Sequence, residues 1–120
     1  MQYDVIHLDR TTNPAEGTFD FRLAENLSDP QVSAVLEFKA VGMSNEENLA
    51  VGINGRATDT DRVQRRRSDD GGYVLHSVRL EPGDVRFGDN RLTVRLAKAA
   101  GKDGAVRIEE VNVRIEVNAR

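Results

Sequence analysis

A chain of 120 residues with 38% hydrophobic and 31% charged side chains is long enough to bury one core and too short for two. It has no cysteine, which excludes disulfides and thiolate metal sites. Seventeen Lys and Arg against twenty Asp and Glu leave a net charge of −3. That is the reverse of the broad positive field a phosphate backbone selects, so nucleic acid is not expected as a partner.

Alternation of apolar and polar residues, carried by β-branched and aromatic side chains, predicts an all-β fold of about eight strands. The first spans 3–8. The second, 18–23, sets Phe19, Phe21 and Leu23 on one face. The third covers 32–41. A short helical turn is an open alternative over 28–32 or 44–49, since Ser44 and Glu47 have the spacing of a capping box. The fourth strand, 48–53, places Leu49, Val51 and Ile53 together and ends on Asn54-Gly55, a dipeptide suited to a tight turn with positive φ. In the fifth, 73–80, Tyr73 and Leu75 are out of phase with Val78 and Leu80, which predicts a slip at His76 and Ser77 around a sandwich corner. The sixth, 90–96, alternates Leu92, Val94 and Leu96 with Arg91, Thr93 and Arg95. The last two, 106–108 and 111–117, are offset by one residue across Glu109 and Glu110, as a β-bulge or a strand changing sheets would produce. One dry and one wet face per strand is the antiparallel pattern. Residues 1–120 therefore read as a single β-sandwich of two antiparallel sheets. No basic start with an apolar run opens the chain, and no stretch approaches the length of a membrane span. A soluble chain without a signal peptide or membrane contact is expected, its compartment left open.

Leu49-Ala-Val-Gly-Ile-Asn54-Gly55, then Tyr73-Val-Leu75, Leu80-Glu-Pro-Gly83 and Gly88-Asp-Asn-Arg-Leu-Thr-Val-Arg-Leu96 resemble a recurrent pattern. A strand ending in Val-x-Val-Asn-Gly and a later Gly-x-Asn-x-Leu-x-Val are similar to the galactose-binding-domain-like jelly rolls. These include the sandwich domains of β-galactosidase-type enzymes and many carbohydrate-binding modules. The resemblance covers about residues 48–96. It implies jelly-roll topology and an accessory, non-catalytic module associated with a glycoside hydrolase, one that positions a catalytic domain or weakly binds glycan. The alternative is a free-standing interaction domain that docks on a partner subunit by a sheet face or edge.

Residues 54–72 form the longest polar stretch, and a loop of that length is a candidate site. Three readings stay open: a solvated loop; recognition of glycan, acidic polymer or protein through Asn54, Arg56, Arg65, Arg66 and Arg67; or a calcium site on Asp59, Asp61, Asp69 and Asp70. Acidic glycans suit the arginines best. His7 and His76 lack the spacing of metal or acid-base pairs and read as structural or surface residues, and Glu109 and Glu110 as outward bulge residues. No nucleophile elbow, phosphate loop or dinucleotide fingerprint is present, so the chain reads as non-catalytic. The six aromatics fall mostly in core phase; Phe87 and Tyr73, each beside a loop, are the best candidates for a sugar platform.

Overall fold

A computed structural model describes residues 6–12, 15–23, 32–44, 46–58, 60–98 and 104–117. Its strands are β1 (Ile6–Asp9), β2 (Glu16–Leu23), β3 (Val32–Val41), β4 (Asn48–Ile53), β5 (Arg56–Ala57), β6 (Val63–Arg67), β7 (Tyr73–Leu80), β8 (Gly88–Lys98) and β9 (Ala105–Val117), with a 3-10 turn over Thr60–Arg62. They form two antiparallel sheets, ordered β1-β9-β3-β7-β6 and β2-β8-β4-β5. The pairing is nested: β1 with β9, β2 with β8, β3 with β7, and β4 with β5. A long antiparallel ribbon rolled over itself gives that order, which is jelly-roll topology. The expected two-sheet antiparallel sandwich is thus the fold observed, with nine strands among the described residues.

The core lies between the sheets. Leu8, Leu36, Phe38, Val78, Val106 and Ile108 enter it from one side and Phe21, Leu23, Ile53, Leu92 and Val94 from the other, all buried. Their burial follows from the side-chain period of two, since each alternates with an exposed or half-buried neighbour along its strand. Gly17, one residue before the strand expected at 18–23, lies inside β2 opposite Val94. A Cβ there would collide with the Ile6 side chain of β1, so the close approach of the two sheets at this corner requires glycine.

The structure decides four local expectations. First, β7 has no slip: it pairs with β3 in unbroken register from Leu80 opposite Ala34 to Tyr73 opposite Val41. Val74, His76, Val78 and Leu80 all point inward, and the imidazole takes a core position that an apolar residue would normally hold. Second, the offset at Glu109 and Glu110 is a bulge within one strand of one sheet. Glu37 opposes Asn112 while Lys39 opposes Glu109, and Glu110 carries a φ of 55°. Third, the described residues of 44–49 form no helix. Glu47 does reach back to accept from the Ser44 amide at 2.9 Å, half of a capping box, but β4 begins at Asn48 and ends the turn there. The other candidate turn lies largely outside the described residues. Fourth, 54–72 is not a structureless loop: it holds β5, the 3-10 turn and the edge strand β6.

Candidate functional site

Asn54 and Gly55, with φ of 52° and 83°, make the two-residue turn of the β4–β5 hairpin. The left-handed backbone at Asn54 aims its amide group across the end of the sandwich. Asn54 Nδ2 donates to the Asp84 carbonyl and to Asn90 Oδ1, both at 2.9 Å, and Asn54 Oδ1 accepts from the Arg91 amide at 2.8 Å. Asn90 is buried and saturated in turn: its Oδ1 also accepts from the Arg86 amide, and its Nδ2 donates to the Arg86 and Gly88 carbonyls. The Asn-Gly and Gly-x-Asn motifs, 36 residues apart at their asparagines, therefore form one clamp between the β4–β5 turn and the β7–β8 loop. Arg62 braces the same loop, donating to the Arg79 carbonyl at 2.7 Å and pairing with Asp84. Neither the asparagine partnership nor Arg62 is visible in local sequence, because each links residues brought together only by the rolled topology.

Beside this clamp, the outer face of the four-stranded sheet carries an open cleft of about 840 Å³. Glu16, Thr18 and Asp20 of β2 and Arg91 and Thr93 of β8 line it, with Asn54 and Gly55 at its end. Two of its carboxylates, Asp20 and Asp89, are paired with arginines. Arg91 Nε donates to Asp20 Oδ1 at 2.9 Å, a bond that raises the guanidinium pKa, and Arg22 lies 3.6 Å from Asp89. Arg86 and Asp89 also border the cleft, and between them in sequence stands Phe87, 67% exposed, the one large hydrophobic residue so exposed among those described. Tyr73, the other platform candidate, is half-buried beneath Lys39, whose Nζ lies 4.6 Å from its ring centre.

The residues expected to share one recognition loop divide between the sheets. Asn54 and Arg56 stay together at the clamp, where Arg56 donates to the Gly83 carbonyl at 3.3 Å and the Asn54 amide is engaged internally. Arg65, Arg66 and Arg67 belong to β6, at the edge of the other sheet. Of the proposed calcium ligands, Asp61 sits on the 3-10 turn, while Asp69 and Asp70 lie in the β6–β7 turn. Asp70 accepts from Ser68 Oγ and the Gly72 amide, which lowers its pKa. Asp59 falls outside the described residues, and among those described no three His, Cys, Asp or Glu side chains converge as a metal site would need. His7 is exposed on β1. His76 stacks on Phe38 with ring centres 4.8 Å apart, and desolvation there pushes its pKa down to about 4.

At the opposite end of the sandwich is a group that no motif announced. Arg10 Nε and Nη2 grip the two Glu47 oxygens at 2.8 and 2.7 Å, with side chains 4% and 0% exposed. Arg10 also donates to the Gly42 carbonyl at 2.8 Å. The two residues are 37 positions apart, so the pair ties the β1–β2 and β3–β4 connections together, a structural use of charge. Among the described residues, no helix is long and apolar enough to cross a membrane. No protein family, curated protein or solved structure matches the chain.

Proposed function

We propose that the chain is a non-catalytic accessory module of a carbohydrate-active enzyme, of galactose-binding-like type, that holds glycan weakly in the cleft on its four-stranded sheet. The observation that carries this reading is a cleft rich in hydrogen-bonding groups, with the exposed Phe87 next in sequence to Arg86 of its lining. A sugar presents an apolar face to an aromatic ring and a rim of hydroxyls to polar side chains, and both partners are available there. Because Arg91 is already paired with Asp20, the cleft suits a neutral sugar better than the uronic acids that the β6 arginines first suggested. The non-catalytic part rests on acid chemistry. Asp9 and Asp70 are held below the ordinary carboxylate range by hydrogen bonds, opposite to what a general acid requires.

Titration of the chain with neutral and uronic-acid oligosaccharides, followed by calorimetry, tests the reading. Millimolar binding of neutral sugars is expected, lost on Phe87→Ala and weakened on Thr93→Val. Absence of binding at millimolar ligand, or binding indifferent to Phe87→Ala, overturns it.

A further inference from the structure

The strand β6 ends its sheet. It pairs with β7 from Val63 opposite Val78 to Arg67 opposite Val74, and no described strand lies on its other side. Such an edge offers an open row of main-chain donors and acceptors to an incoming strand. Because Val74, His76 and Val78 face the core, their partners Val63, Arg65 and Arg67 project toward the same side, and Gln64 and Arg66 toward the outer face. A recess flanks the strand on each side. One, of about 260 Å³, is lined by Arg65, Arg67 and Ser44, whose Oγ is buried without a hydrogen-bond partner among the described residues. The other, of about 640 Å³, is lined by Gln64, Arg66 and Leu75. An added strand would drop its alternate side chains into the two recesses in turn.

Charge selects the occupant. Arg10, Arg62, Arg91 and Arg114 each face a carboxylate within 4 Å. Arg65, Arg66 and Arg67 face none among the described residues: Arg65 donates to Asn48 Oδ1 at 2.7 Å, and Arg67 to the carbonyls of Gly71 and Met43, both at 3.2 Å. Three adjacent cations thus stand without an ion pair of their own on a chain of net charge −3, the glutamates that line the two recesses, Glu47 and Glu37, being paired with Arg10 and Arg114. A second copy of β6 would set arginine against arginine, and an apolar strand would strip water from them with no return. We propose that β6 is the docking edge for an extended acidic segment of a partner protein, which joins the sheet as a further strand with its carboxylates on Arg65 and Arg67 at one face and Arg66 at the other.

The test uses the whole chain, isotopically labelled, and a blocked peptide of Glu and Thr in equal share. The acidic peptide is expected to shift the amides of residues 63–67 and slow their hydrogen exchange, and to weaken with added salt. Arg66→Glu should reduce its affinity about tenfold and narrow, without reversing, its preference over the peptide in which Lys replaces Glu. Arg66→Gln, which keeps a polar side chain at the position, should give a smaller loss with an unchanged melting temperature. Equal binding of the Lys peptide, or of an acidic peptide with proline at alternate positions, overturns the proposal, since neither has both the charge and the donors. So does a sulfated oligosaccharide giving the same shifts and the same slowed exchange, or no shift at 63–67 with millimolar acidic peptide.

Discussion

His76 makes stability depend on pH in a way that one substitution can isolate. Its imidazole is 1% exposed, stacked on Phe38, with Nδ1 3.1 Å from the Val74 carbonyl and Nε2 buried without a hydrogen-bond partner among the described residues. The Val74 contact assigns the proton of the neutral ring to Nδ1. A second proton would have to enter at Nε2, beside core side chains and within the field of Arg65, and desolvation holds the pKa at about 4 against an ordinary 6.5. Between those values the unfolded chain binds a proton that the folded chain refuses, so stability falls as pH falls. Above pH 6.5 both states are neutral and the effect vanishes; below pH 4 both are protonated and the loss is complete. At about 1.4 kcal/mol per pH unit the gap amounts to about 3 kcal/mol. Urea unfolding followed by circular dichroism from neutral to acidic pH, for the native chain and His76→Leu, measures it. Carboxylates and His7 are common to both proteins and cancel in the difference. At neutral pH the two should lie within about 1 kcal/mol, since Leu loses the stacking and one hydrogen bond but also removes an orphaned nitrogen. The native chain should then lose about 3 kcal/mol relative to the variant by pH 4. Superimposable pH profiles would show that the imidazole is solvated when folded and refute the reasoning.

Glu47→Ala should cost about 3–5 kcal/mol in the same unfolding assay, because it strands the Arg10 guanidinium in a site 4% exposed, and Arg10→Ala together with Glu47→Ala should cost less than the sum of the single changes. Asn54→Gly keeps the left-handed backbone but removes the clamp's amide, leaving Asn90 and the Arg91 amide short of partners; a loss of about 1–3 kcal/mol is expected. Gly17→Ala should lower the unfolding free energy by about 1–3 kcal/mol through the collision with Ile6, and Ile6→Ala should recover part of it in the double variant.

Much of the architecture was legible because the strands with one buried face obey their period. The boundaries 32–41, 48–53 and 73–80 read from alternation are those of β3, β4 and β7. The bulge was equally visible, since an extra residue at Glu110 must invert the phase of everything after it. β7 misled at His76 because imidazole counts as polar in a pattern, whereas a neutral, stacked ring fills a core position as an aromatic does. β6 escaped because only Val63 of its five residues is apolar, and an edge strand guarded by arginines has no hydrophobic period to find. The site was legible in part. Asn54-Gly55 and Gly88-x-Asn90 were recognisable as turns, but their union in one clamp depends on β4 and β8 being neighbours. The capping-box spacing marked Glu47, but its pairing with Arg10 carried no signal, as long-range charge pairs leave none in local sequence. The shortage of aromatics proved sharper than composition suggested: Phe38 and Phe21 are core, and Phe87 alone among the described aromatics stands well out in solvent.

The polar cleft of the four-stranded sheet is proposed as the sugar site. An amide chemical-shift map of the labelled chain during titration with a neutral oligosaccharide tests it most directly. Shifts confined to residues 16–20 and 86–93, with 63–67 unmoved, are the predicted result; shifts centred on 63–67, or none at millimolar sugar, would contradict it.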